Sequence, residues 1–376
     1  PAFRRPDHVV SSDVRYLGNK TRLLGFLMGA VERLCGEPGV ASDPFAGTAS
    51  VASALKRRGW RVHAGDLMAA SYALQVVRVA LDRTPRFDPR VLPAGRRNGA
   101  ASVSYRRVLE FLARLPGADG FLTEHYTPAG ERGRRHGRMY FTAENARRLD
   151  AARQLVGGWE EAGLIDGPRA QLLLATLIEA ADRVANTTGV YASFVKTWQP
   201  NARRPLELRP LLPTPAANGA SGSTAFRGPA VELLASVGAV DLLYVDPPYN
   251  GRQYPGYYHI PELLALGWSP PPPLRGKTGL IPDESQRSDW CRKSRAGRAL
   301  AAALDAADAR HVLFSYNDEG LLPRDAIAAA LRERGEPDSY RCLARPYRRY
   351  RSDADGPERT YRRDRVREQL HYVRCR

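Results

Sequence analysis

Asp246-Pro247-Pro248-Tyr249, directly after the apolar run Asp241 to Val245, holds the residues of this chain best suited to chemistry on an aromatic amine. The Asp246 carboxylate can accept one N–H of such an amine, and the Pro247 carbonyl can accept the other. Two consecutive prolines, Pro247 and Pro248, fix the backbone there and add no competing donor. The two bonds would draw the nitrogen toward sp3 geometry and free its lone pair for in-line attack on a sulfonium methyl group. Tyr249 adds a flat face on which a base can stack. An Asp-Pro-Pro turn alone is a tight loop. After a buried strand it stands where open α/β sheets bind ligands, beyond a strand's carboxyl end.

Three other stretches could serve a cofactor. Asp43-Pro44-Phe45-Ala46-Gly47-Thr48 lies between an expected strand and an expected helix. Small residues let the backbone approach a ligand, and a helix N-terminus favours a carboxylate such as that of methionine. One glycine is too few for a dinucleotide fingerprint, and the same residues suit an ordinary turn. Asp66 ends the next expected strand, where an acid can take two ribose hydroxyls or cap the helix that follows. Tyr16-Leu17-Gly18-Asn19-Lys20 by itself reads as a turn into a helix.

A definite succession of elements must position these residues. Apolar residues at three- and four-residue spacing predict a helix from about Lys20 to Leu34. A short strand ends at Asp43, and Ala49 to Arg58 reads as a helix stopped at Gly59, a natural C-cap. Trp60 to Ala64 is the next strand, closing at Gly65-Asp66, with helix from Met68 to about Leu81. This alternation implies α/β architecture, a doubly wound parallel sheet covered on both faces. The pattern breaks from about Asp82 to Leu164, where turns and arginines read as an inserted module. A long helix from Pro168 to about Asn186 restores it. Residues 212–228 read as a mobile loop and 269–273 as a Pro-rich one. Strand Val240 to Val245, helix Asp289 to Ala307, strand His311 to Ser315, helix Arg324 to Glu333 and strand Glu368 to Val373 complete the set.

The 376 residues suit one large domain with an insertion or two ordinary domains, and 43% hydrophobic residues provide for a substantial core. Fifty-seven Lys and Arg against 40 Asp and Glu leave a net charge of +17. That balance suggests a polyanionic partner, most simply nucleic acid. Generic arginine enrichment in a GC-rich genome is the plainer explanation. Cys35, Cys291, Cys342 and Cys375 form no CxxC pair and the seven histidines do not cluster, so no metal site is expected. Lone cysteines fit a reducing cytoplasm. The expectation is a soluble intracellular protein, since no signal peptide is seen and the longest apolar runs, such as Leu172 to Ala181, are too short to span a bilayer.

Together the four motifs resemble the Dam-like, D12-class (α-group) DNA N6-adenine methyltransferases. In order they look like that family's Y/W-x-G-x-K segment, its D/E-P-F-x-G cofactor turn, its ribose-binding acid and its DPPY motif. The resemblance implies a Rossmann-like methyltransferase sheet with an inserted target-recognition module, and S-adenosyl-L-methionine as cofactor. Residues 1–82 would form the cofactor half, 83–165 the module, and 166–376 the catalytic half with a basic C-terminal hairpin. It also implies that Tyr16, Lys20, Asp66 and Asp246 contact the cofactor, that Asp43, Pro44, Phe45 and Gly47 line the same pocket, and that Asp246 and Tyr249 handle a flipped adenine. Arg138-Met139-Tyr140-Phe141, Gly189-Val190-Tyr191-Ala192, Gly276-Lys277-Thr278-Gly279 and Phe314-Ser315-Tyr316-Asn317 look familiar from longer members. One departure is Thr48-Ala49, where many relatives keep a second glycine.

The expected reaction is direct methyl transfer to N6 of adenine in double-stranded DNA, without covalent intermediate or metal. A restriction–modification setting with a cognate endonuclease, in a bacterial cytoplasm near the nucleoid, would follow. Arginine-rich stretches at Glu131 to Arg148 and at Arg341 to Arg367, the latter with Tyr347, Tyr350 and Tyr361, are candidates for gripping DNA. Rival readings are methylation of cytosine N4 or of RNA, and a catalytically silent DNA-binding protein. Gly276-Lys277-Thr278 invites a phosphate-loop reading, but Pro271 stands where the first glycine belongs. His259 reads as structural or substrate-facing, and Tyr254, Tyr257 and Tyr258 as the wall of a base pocket or as core.

Overall fold

The computed structural model describes residues 15–16, 18–97, 99–217, 221–281, 286–348 and 365–376. Tyr350 and Tyr361 lie outside them. A 3-10 turn at Thr21–Leu23 leads into α1 (Leu24–Cys35), followed by β1 (Val40–Asp43), α2 (Ser50–Arg57), β2 (Arg61–Asp66) and α3 (Ala69–Gln75). Five helices come next: α4 (Tyr105–Ala113), α5 (Phe121–Tyr126), α6 (Glu131–Arg135), α7 (Ala143–Glu161) and α8 (Gly167–Val184). The chain then returns to the sheet with β3 (Thr224–Arg227), α9 (Ala230–Val237), β4 (Ala239–Val245), α10 (His259–Leu266), α11 (Ala296–Ala306), β5 (Asp308–Asn317), α12 (Arg324–Arg334), β6 (Arg341–Arg348) and β7 (Arg365–Arg374).

The seven strands are ordered β3-β2-β1-β4-β5-β7-β6. The first five are parallel, and β7 and β6 continue the sheet antiparallel. The fold is therefore α/β and Rossmann-like, with an antiparallel extension. Its strand order reverses between β1 and β4, the switch point outside which doubly wound sheets bind ligands. Side chains alternate along β4 as a pleated strand requires: Leu242 and Tyr244 join a core with α1 and α2, while Leu243 and Val245 join another with α9, α11 and α12. A third core unites α4, α5, α7 and α8 with α3 and α10. The helical segment between β2 and β3 is thus packed onto the sheet's own helices.

Two expectations change. Residues 224–227, read from the sequence as part of a mobile loop, form edge strand β3, registered with His63 to Asp66 of β2. The Val62 N–H donates to Ser223 Oγ at 3.0 Å just before it. The helix expected from Asp289 to Ala307 is divided. A 3-10 turn at Asp289–Cys291 ends in extended backbone at Arg292, and α11 starts at Ala296. The interruption seats Trp290 edge-on against Phe45, centroids 5.1 Å apart, and near Phe314. Among the described residues no helix is long and apolar enough to cross a membrane, and no group of three or more His, Cys, Asp or Glu converges as a metal site.

Candidate active site

The carboxyl ends of β1, β2 and β4 open onto one cavity of about 490 Å³. Asp43, Pro44, Phe45 and Gly47 leave β1, Asp66 ends β2, and Asp246, Pro247, Pro248 and Tyr249 leave β4; all of them line it. Tyr16 and Lys20 close it from the segment before α1. Every residue singled out from the sequence as catalytic or cofactor-binding is therefore brought to one place.

Each is held by identifiable partners. Arg15 secures the segment carrying Tyr16: its backbone N–H donates to Asp182 Oδ2 at 3.0 Å and its guanidinium to the Thr187 carbonyl at 3.0 Å. Tyr16 then stacks on buried Tyr258, centroids 4.6 Å apart. The turn after β1 is tied to β2, with Ala46 N–H donating to the Gly65 carbonyl at 2.9 Å and Gln75 Nε2 to the Gly47 carbonyl at 3.2 Å. Gly47 has φ +50°, and a Cβ there would lie 3.0 Å from the Tyr16 ring, so only glycine fits without displacement. Ala49, of the Thr48-Ala49 pair, also adopts a left-handed conformation, φ 62°. Arg78 braces this turn by donating to the Thr48 carbonyl at 2.6 Å while pairing with buried Glu179.

Charge is concentrated here. Asp66 accepts the Met68 N–H at 2.9 Å and the Gly47 N–H at 3.1 Å; burial nonetheless raises its pKa to about 6, these bonds opposing the rise. Asp246, its side chain 15% exposed, lies 2.9 Å from Lys20 Nζ. Burial raises its pKa to about 6 against the pull of Lys20, with Glu368 adding to the rise. Asp43 is pushed up by burial and by the nearby Asp246, and its Oδ1 has no hydrogen-bond partner among the described residues. For Lys20, burial alone favours the neutral amine, but Asp246 and Glu368 outweigh it and hold the ammonium well above its ordinary pKa.

Three functional candidates were not found from sequence. Glu368 on β7 is 2.9 Å from Lys20 Nζ. Its signal was an acid at an inward position of a strand in which Val366, Leu370 and Tyr372 on the same face are buried. Glu262 of α10 accepts the Ala69 and Ala70 N–H groups at 2.8 and 2.9 Å, capping α3 beside the site. Gly228 to Val231, after the unforeseen β3, also line the cavity.

Other singled-out residues fall elsewhere. His259 is fully buried among Tyr126, Tyr140 and Tyr191, and burial pushes its pKa down to about 3. Tyr254 lines the cavity. Gly276 to Gly279 form a turn between bridged Arg275 and Leu280, clamped by Arg138, whose Nε donates to the Lys277 carbonyl at 2.8 Å. Of the arginine-rich stretch at 131–148, Arg132, Arg134 and Arg135 are exposed on α6, whereas Arg138 is buried in this clamp.

The D12 class N6 adenine-specific DNA methyltransferase family model matches residues 16–327. The chain is 33% identical to the type II methyltransferase M.FokI of Planomicrobium okeanokoites over 345 residues, 90% of this chain and 50% of that protein. It is 32% identical to the type II methyltransferase M.NlaIII of Neisseria lactamica over 343 residues, 90% of this chain and 93% of that one. To the modification methylase StsI of Streptococcus sanguinis it is 29% identical over 340 residues, 90% and 49%. The chain thus spans about half the length of M.FokI and StsI and nearly all of M.NlaIII. No solved structure matches. With a family match running through every motif that meets at the cavity, the chain belongs to the D12 class N6 adenine-specific DNA methyltransferases.

Proposed function

We propose that the chain is a site-specific DNA methyltransferase that moves a methyl group from S-adenosyl-L-methionine to N6 of an adenine flipped out of duplex DNA. The observation that carries this reading is the meeting of Asp246-Pro247-Pro248-Tyr249 with Asp43, Gly47 and Asp66 around one cavity. The cavity's volume falls in the range of small-molecule sites. Three acids, Asp43, Asp66 and Asp246, line the cavity together with the buried Lys20, which pairs with Asp246, and the Asp43 Oδ1 atom awaits a donor. That donor set suits a ligand carrying a sulfonium and an amino group. Asp66 would hold the ribose, and Phe45, Gly47 and Tyr16 the rest of the cofactor.

When bound, the cofactor supplies an electrophilic methyl group. Asp246 as carboxylate and the Pro247 carbonyl accept the two N6 protons and aim the nitrogen's lone pair, while Tyr249 stacks on the base. Lys20 keeps Asp246 ionised enough to accept. An adenine within a duplex cannot reach such a pocket, so the base must be extruded. Exposed arginines of α6 and β6 would grip the backbone, and the helical segment at about 83–165 would read the site. The names of the relatives, type II methyltransferases and modification methylases, support a role as a modification enzyme; we further propose a cognate endonuclease and action in a bacterial cytoplasm.

The test is transfer of label from S-adenosyl-L-methionine to unmethylated DNA, RNA and free nucleosides, followed by nucleoside analysis. Label recovered as N6-methyladenine from DNA is the expected result. Label in N4-methylcytosine or RNA would overturn the substrate, and none anywhere with cofactor bound would overturn the activity.

A further inference from the structure

The Lys20 ammonium stands between two carboxylates, 2.9 Å from Asp246 Oδ1 and 2.9 Å from Glu368 Oε1. The Glu368 oxygen that meets Lys20 also accepts the Ser315 hydroxyl at 2.8 Å. Both Lys20 and Glu368 are at most 7% exposed at the side chain. A buried carboxylate is costly, and one is retained here on a strand next to β5, remote in sequence from every recognised motif. Its position has a chemical consequence. An ammonium in contact with Asp246 draws negative charge away from the carboxylate and weakens it as an acceptor. A second carboxylate in contact with the same ammonium offsets that pull. Lys20 then orients Asp246 without disarming it.

We propose that Glu368 is a positioning residue for methyl transfer: through Lys20 it fixes the Asp246 carboxylate and preserves its strength as an acceptor of the amine proton. This rests on the reading of Asp246 as the group that binds the target amine. The groups bearing on Asp246 are Lys20 before α1, Asp43 at the end of β1, Tyr244 of β4, Tyr254 beyond the catalytic turn and Glu368 of β7. Among them Lys20 is the cation, and Glu368 is the other acid in contact with it. Removing the charge of Glu368 while keeping its shape leaves Lys20 free to act on Asp246 alone. Asp246 should then deprotonate at lower pH and hold the amine less tightly.

Glu368→Gln is the informative variant, read by the pH profile of kcat/KM on DNA and by carbon-13 NMR titration of labelled aspartates without substrate. The expected result is an acid limb and an Asp246 titration both moved down by about one pH unit, with the plateau kcat reduced about tenfold or more. Glu368→Asp, which restores the charge one methylene short, should return the acid limb to its wild-type place while kcat stays low. An unmoved limb and titration in folded Glu368→Gln would overturn the proposal, leaving Glu368 a packing residue. Should that variant not fold, Glu368→Asp decides alone: an acid limb shifted down despite the retained charge overturns it. Wild-type protein with no methyl transfer to DNA would instead sink the proposed function, and the NMR titration would still judge the charge arrangement.

Discussion

Asp246 carries the most consequence at the scale of single residues. Asp246→Ala should lower kcat by at least about a hundredfold, as loss of one charge-stabilising contact does in other enzymes, while DNA affinity in a filter-binding assay stays within about threefold. A variant with normal turnover would remove Asp246 from the mechanism. The same carboxylate sets a pH limit. Its folded-state pKa is raised to about 6, so below that pH it is protonated and cannot accept the amine's proton; above it, it can. Asp66 shares the window. Activity should therefore fall as pH drops through 6, more steeply than one proton would give, and a profile flat from pH 7 to pH 5 would contradict the assignment. The motif residues were readable because Asp43, Asp66 and Asp246 stand at the carboxyl ends of strands, while Tyr16 and Lys20 lead into the first helix. Glu368 was not, because nothing local distinguishes it: its meaning comes from Lys20, brought near by the sheet.

Between residue and molecule stand the elements that hold the cofactor turn. The last turn of α3 widens into a π turn, Val76–Ala80, which places Arg78 against both the Thr48 carbonyl and Glu179 of α8. Buried Lys56 of α2 donates to the Val79 and Leu81 carbonyls at 2.6 and 2.8 Å, closing the end of that turn. Arg78→Met should destabilise the protein by about 3 kcal/mol, since it strips the main counter-charge from a buried carboxylate, and should raise the KM for the methyl donor. Urea unfolding with unchanged midpoint would refute this. Long periodic elements such as α8 and β4 were legible from hydrophobic spacing. Strand β3 was not: four residues with a half-exposed pattern give no period, and its partner β2 lies on the far side of six helices. The split before α11 was equally hidden, since only the fit of Trp290 against Phe45 demands it.

For the molecule as a whole, a net charge of +17 should make DNA binding steeply salt-dependent. The logarithm of affinity should fall linearly with the logarithm of salt concentration, losing on the order of a hundredfold or more between 50 and 200 mM. A shallow slope would mean that exposed arginines on α6 and β6 do not meet phosphates. Sheet order has a further consequence, in the sequence of synthesis. A chain leaving the ribosome presents Tyr16 and Lys20 early, yet β1 meets β4 only after the helical segment has emerged, and β5 gains β7 later still. Pairings this distant delay folding, because loop closure must precede any reward from contact. Until then the nascent chain carries unpaired apolar strand edges, a state that favours chaperone capture over early folding. Since Glu368 arrives with β7, a chain broken off before Arg365 lacks one carboxylate of the reactive centre. A chain interrupted there lacks both the pairing of β7 with β5 and the second carboxylate contact of Lys20, and should turn over at least about tenfold more slowly than the full chain.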